Sequence, residues 1–182
     1  MKLKELFSRL VKPRRPLEYL LFTLIVAGVV SLDQLTKLYA TVFLKKLDTL
    51  PILDGVLHLT YVENRGAAFG ILKDAPWVFN TFSVIAIIFL IGFVYLGHSE
   101  TKLYTVSCLM IAGGGIGNMI DRVSVGFVVD FIDFRLIDFA VFNIADSFVC
   151  VGAGLLILAL FLEIKKEIQK SDVGDAPGGA EE

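Results

Sequence analysis

The chain has 182 residues, is 55% hydrophobic and has a mean hydropathy of +0.73. That is too apolar for an ordinary water-soluble domain and suits a small multi-span membrane protein. A formal net charge of -2 gives no reason to expect nucleic acid as a partner. Two cysteines in apolar runs, Cys108 and Cys150, with His58 and His98 far apart, argue against a disulfide framework and against a metal centre.

The N-terminal segment is basic, with Lys2, Lys4, Arg9, Lys12, Arg14 and Arg15, and is closed by Pro13 and Pro16. The apolar run that follows has no small-residue cleavage site. It reads as a retained first span, from about Tyr19 to Ala40, behind a cytoplasmic anchor. Near its end Asp33 and Lys37 lie four apart, which puts them on one helix face as an ion pair.

Residues 41–74 change character. Val56 to Val62 is short and partly β-branched or aromatic, with Gly55 before it and Asn64-Arg65-Gly66 after it. This predicts one or two strands with a tight turn, a small outer platform between the first and second spans. Gly66 and Gly70 flank Ala67 and Ala68 and allow close backbone approach.

Ala75 to Gly97 is an uncharged run of 23 residues opening on Pro76 and Trp77, long enough at about 1.5 Å per residue to cross a hydrocarbon core of about 30 Å. A polar link, His98 to Lys102, leads to a third span from Leu103 to Ile120. Its Gly113-x-x-x-Gly117 spacing permits close helix packing. A fourth span follows Phe139 and runs to about Leu162, with Asp146 as its only charge. Residues 166–182 read as a flexible acidic tail.

The expectation is therefore an all-α membrane protein, one integral domain with a basic tail (1–16), a four-helix core (17–165) and a C-terminal tail (166–182). With a basic N-terminus inside, four spans put both termini in the cytoplasm. Ten of the 17 Lys and Arg residues then fall in inside segments. Asp33, Lys37, Asn64, Arg65, Asn118, Asp121, Arg122, Asp130, Asn143 and Asp146 all fall at one depth, near the outer interface. Ionisable residues there are costly and by default functional.

Two close carboxylates cannot both ionise easily, so one keeps its proton. Such a pair can draw a proton from water and donate one to a substrate, as amide hydrolysis requires. Asp130, in the connection after the third span, and Asp146, at the top of the fourth, are the candidates. Asp121 competes with Asp130, but Arg122 beside it is expected to hold it as a structural ion. Asp133 and Asp138 are expected at the loop surface. Serines lack an evident base near the cluster, and His98-Ser99 falls on the other side. A proton-coupled transporter would need polar residues through the depth of the bundle, which stays apolar. A noncatalytic scaffold, with carboxylates only pinning loops, remains the other alternative.

Five motifs in order carry a resemblance. They are Asp33-Gln34-x-x-Lys37; Asn64-x-Gly66-Ala67-Ala68-Phe69-Gly70; Gly113-Gly114-x-x-Gly117-Asn118-x-x-Asp121-Arg122; Val128-Val129-Asp130-Phe131; and Phe142-Asn143-x-Ala145-Asp146. Together, from about residue 17 to 165, they resemble the bacterial lipoprotein signal peptidases (signal peptidase II). The resemblance implies a four-span aspartyl endopeptidase of the bacterial cytoplasmic membrane. It implies removal of signal peptides from prolipoproteins, by cutting before a diacylglyceryl-modified cysteine. It implies a dyad of Asp130 and Asp146, a site lined by Asn118, Arg122 and Asn143, and support from Asp33, Lys37, Asn64 and Asp121. No cofactor or metal is implied. The expected partners are lipidated prolipoproteins and membrane lipids, with the enzyme acting as a monomer.

Overall fold

A computed structural model describes residues 13–66, 76–97 and 101–174. Ala67 to Gly70 of the second motif, His98-Ser99, Lys2 to Lys12 and the last acidic residues lie outside that set.

Helix α1, Pro16–Tyr39, starts on a proline, whose missing N–H costs nothing in a first turn. It runs on through a π-helical stretch, Ala40–Leu44, and a short turn, Lys45–Leu47. Strands β1, Thr49–Leu53, and β2, Leu57–Asn64, form an antiparallel hairpin. Its turn holds Gly55 at φ 69°, a left-handed conformation that glycine adopts without strain. Helix α2, Pro76–Tyr95, precedes α3, Lys102–Ser124, which Thr101 caps through its side chain. Strand β3, Val128–Phe134, leads by a short turn to α4, Ile144–Gly174. The last helix thus extends well past Leu162.

Among the described residues three helices are long and apolar enough to cross a membrane, Pro16–Leu47, Lys102–Ser124 and Ile144–Lys166, with a shorter apolar helix at Asn80–Tyr95. Large apolar side chains point outward from α1, α2 and α4, among them Leu24, Leu35, Phe82, Ile88, Ile157 and Phe161. That surface suits hydrocarbon, not water. Helix α3 is the buried centre, packed against α1, α2 and most extensively α4. Small residues make this approach close. A Cβ on Gly113 would strike Val29 of α1, one on Gly114 would strike the Ala145 carbonyl of α4, and one on Gly117 would strike Asp33. In lipid, helices associate through this kind of contact.

The sheet corrects one expectation. It has three strands in the order β1-β2-β3, so the platform is not confined to the connection between the first two spans. The third strand comes from the segment that carries Asp130. A bulge between Leu59 and Val62 interrupts the β2–β3 register and resets Val62 opposite Asp130.

Candidate active site

Three local devices bring Asp130 to Asp146. First, α3 ends at Ser124, and Gly126 two residues on, at φ 82°, turns the chain into β3. The Asp121 carboxylate in the last turn of α3 accepts the Val129 N–H at 3.2 Å and so ties the strand to the helix. Second, Asp130 is two residues diagonal from Asn64 across the bulged ladder, and the Asn64 amide donates to its Oδ2 at 2.9 Å. Third, an isolated bridge pairs Ile132 with Phe142, with backbone bonds of 2.8 and 3.0 Å. The chain folds back on β3 and delivers Asn143 beside Asp130.

Asn143 then joins the two acids. Its Nδ2 donates to Asp130 Oδ1 at 2.6 Å. Its Oδ1 accepts the Asp146 N–H at 2.9 Å, and its own N–H donates to Asp146 Oδ2 at 3.2 Å. That reciprocal pair is a capping box at the start of α4, with the acid in the N3 position. The same bonds that begin the helix therefore hold the Asp146 side chain. An anion there is favoured by the helix N-terminus.

Behind the pair lies a buried ionic network. Lys37 Nζ contacts Asp33 at 2.8 Å and Asp121 at 3.0 Å, and donates to Asn118 Oδ1 at 2.8 Å. With its oxygen committed to Lys37 and to Asn143, Asn118 turns its amide to Asp146 and donates at 2.7 Å. Asp33 also accepts the Ala145 N–H at 2.9 Å. Arg122 donates to the Asn118 carbonyl at 3.4 Å and feels the charges of Asp146, Asp130 and Asp121.

Asp33, Lys37, Asn64, Asn118, Asp121, Arg122, Asp130, Asn143 and Asp146 thus enter one network, whereas Arg65 lies against Glu63 and the Phe127 ring. Asp121 has its ion pair with Lys37 of α1 at 3.0 Å, and adjacent Arg122 feels its charge as well. One expectation changes. Asp133 is buried on β3, where Thr60 donates to it at 2.6 Å and Arg135 at 2.9 Å; Asp138 is exposed as expected. Gln34 sits in the first motif, and the structure shows what it does. Its amide donates to Asp121 at 2.9 Å and to the Gly117 carbonyl at 3.1 Å. A polar residue beside Asp33 in an otherwise apolar span was the available signal.

The two acids differ in setting. Asp130 is 2% exposed, whereas Asp146 is half-buried. Burial pushes the Asp130 carboxyl up to about 6; the Asn64 bond opposes this and the charge of Asp146 adds to it. Among the described residues no cluster of His, Cys, Asp and Glu has the makings of a metal site. A cavity of about 130 Å³ is walled in part by Asn64, Gly66, Asn80, Arg122 and Phe127; neither aspartate lines it, and Asn64, which donates to Asp130, connects it to the pair.

The family model for signal peptidase (SPase) II matches residues 25–162. The lipoprotein signal peptidase of Clostridioides difficile is 45% identical over 148 residues, covering 80% of this chain and 99% of that protein. The lipoprotein signal peptidase of Caldanaerobacter subterraneus subsp. tengcongensis is 50% identical over 132 residues, 72% of this chain and 90% of its own. Among solved structures, a bacterial membrane enzyme determined in meso at 2.3 Å matches with a TM-score of 0.71 and 33% identity, over 88% of this chain and 94% of that one. A second, at 1.9 Å, gives 0.68 and 37%, over 76% and 91%. Apolar helices around a buried polar network, with solved relatives of this kind, define a multi-pass membrane enzyme. The chain belongs to the signal peptidase II family and is a hydrolase of peptide bonds.

Proposed function

We propose that this chain removes signal peptides from diacylglyceryl-modified prolipoproteins, cutting before the lipidated cysteine, with Asp130 and Asp146 as a general acid/base pair. The observation that carries the reading is the sharing of Asn143 by both carboxylates. In the reacting form Asp130, the more buried, carries the proton and is the acid, and Asp146, held at the helix N-terminus, is the base.

Water attacks the scissile carbonyl carbon while Asp146 takes its proton and Asp130 protonates the carbonyl oxygen. Collapse of the tetrahedral species breaks the C–N bond. Asp146 returns its proton to the leaving nitrogen, and Asp130 recovers its own from the hydroxyl. Arg122, Asn118 and Asn64 position the acids and line the approach. No metal or cofactor takes part.

The polypeptide is read as one integral domain, with residues 17–165 as the peptidase core. Helix α2, with 20 residues, spans about 30 Å and supplies the fourth crossing. Both termini then lie in the cytoplasm, and the site lies near the outer face of the bacterial inner membrane. A diacylglyceryl group sits in the bilayer and leaves its cysteine at headgroup level. Acyl burial, at roughly 0.8 kcal/mol per CH₂, anchors the substrate at that depth for a monomeric enzyme.

Asp130→Asn and Asp146→Asn test the pair. Each is expected to lower cleavage of a lipidated precursor at least about a hundredfold, the scale of a lost general acid or base, with folded protein still in the membrane. Full activity in either removes that residue from the dyad. Asp121→Asn serves as the control: if it alone stops chemistry without unfolding, the assignment moves there. Unlipidated precursor is expected to be a poor substrate, and equal cleavage of both forms would refute the lipid's role.

A further inference from the structure

Asn80 is a polar cavity-lining residue that none of the five motifs contains. It lies in the first turns of α2, an uncharged helix, and lines the space that Arg122 and Asn64 also wall. Its Oδ1 is buried and has no hydrogen-bond partner among the described residues. Buried carbonyl oxygens without partners are uncommon and ask for a reason. The other polar groups around the cavity do not supply one. The Asn64 carboxamide is committed at both ends, donating to Asp130 at 2.9 Å and accepting from Gly66 N–H at 3.0 Å. Arg65 lies over the Phe127 ring at 5.2 Å. Arg122 is all donor, since a guanidinium has no acceptor. The cavity therefore pairs a donor-only side chain with one uncommitted acceptor.

An extended peptide presents that complement. A signal peptide must leave the helical state near its cleavage point to expose the scissile carbonyl. Its main-chain N–H and C=O groups then lose their helical partners at a depth where lipid offers none. We propose that Asn80 is a substrate-contacting residue whose Oδ1 accepts a main-chain N–H from the extended segment beside the scissile bond. The assignment rests on the peptidase reading above and adds to it the substrate group that this wall of the site recognises.

The test uses the full-length enzyme and a set of synthetic diacylglyceryl-cysteine peptides. In each peptide one amide N–H near the cleavage point is replaced by an ester oxygen. Asn80→Ala is expected to raise KM roughly five- to tenfold at unchanged kcat, the signature of a hydrogen bond made equally in ground and transition states. One ester position should cost the wild type the same factor and cost Asn80→Ala nothing. Asn80→Asp keeps the acceptor and should keep the ester penalty. The apparent Tm of Asn80→Ala should not fall, because the change removes an unpaired buried oxygen. Ester penalties equal in wild type and Asn80→Ala at every position would overturn the proposal, as would an unchanged KM. So would a joint loss of Tm and kcat, which marks a structural role. Asp130→Asn is assayed on the same peptides. Turnover by that variant would sink the dyad, while the Asn80 cycle would still be read from KM.

Discussion

Removing the Asn64 amide gives the sharpest test of which acid carries the proton. Asp130 has two side-chain donors, Asn64 at 2.9 Å and Asn143 at 2.6 Å. Asn64→Ala deletes the first and leaves the second, and with it the cap of α4, in place. A hydrogen bond to a charged acceptor contributes about 1.5–3 kcal/mol. At 1.36 kcal/mol per pH unit, its loss raises a carboxyl by about one to two pH units. Asp130 starts at about 6. If it is the protonated partner, its deprotonation ends activity on the alkaline side. That limb of the kcat profile should then move up by about one to two pH units, while the plateau falls through looser positioning. The measurement is kcat against pH on a fluorogenic diacylglyceryl peptide in detergent, with both limbs treated as properties of the coupled pair. An alkaline limb that stays still while the acidic limb moves would reverse the roles of Asp130 and Asp146. A downward shift would contradict the hydrogen bond itself.

Stability should move opposite to activity at Asp130. Its native value of about 6 lies above its ordinary 3.8, so the native state holds the extra proton between these values. The stability this lends is full below the lower value and lost as pH rises through the upper. At neutral pH, Asp130→Asn should therefore stabilise the fold by up to about 3 kcal/mol, seen as a higher apparent Tm, with the gain vanishing in acid; a gain that grows in acid would be inconsistent. Lys37 compensates two buried carboxylates, Asp33 and Asp121. Lys37→Met should cost about 3–5 kcal/mol, and adding Asp121→Asn should restore part of it in thermal melts; a cost below about 1 kcal/mol would equate the network with a surface pair. Gly114→Ala would drive a methyl group into the Ala145 carbonyl next to Asp146. Cleavage should fall about a hundredfold, whereas Gly154→Ala, with open space around it, should leave turnover unchanged; equal effects would deny that helix approach sets the site.

The helices and the polar residues of the site were legible because each leaves a local mark. Long apolar runs announce the spans, and an aspartate, lysine or asparagine among them stands out by its cost. Strand β3 left no such mark. Val128 to Asp133 is almost entirely buried, Ile132 alone being partly open, so apolar and polar positions do not alternate as they do in a strand with one wet face. The Asp133 carboxylate was placed at the surface for the same reason: its partner Thr60 is 73 positions away on β2, and no spacing within β3 points there. Asp121 has adjacent Arg122 within the reach of its charge, but its ion pair is with Lys37, remote in sequence. Neighbours i and i+1 on a helix do not face each other. Lys37 reaches Asp121 from another helix, at a point where Gly117 has no side chain to hold α1 away.

Asn143 shows why the motif could be noticed before its geometry could be drawn. An asparagine three residues before an acid is the pattern of a helix start, and it is also the pattern of an acid held by its cap. Here both readings describe one set of bonds. What the pattern could not contain is the third bond, from the same amide to Asp130. That bond depends on the Ile132–Phe142 bridge, on the bulge in β2–β3 and on the turn at Gly126. The bulge alone shifts the pairing of β3 by one residue. A strand shifted by one residue would face Asp130 the other way, with every motif still intact. The proposed chemistry therefore depends on register at least as much as on residue identity, and register belongs to the sheet as a whole.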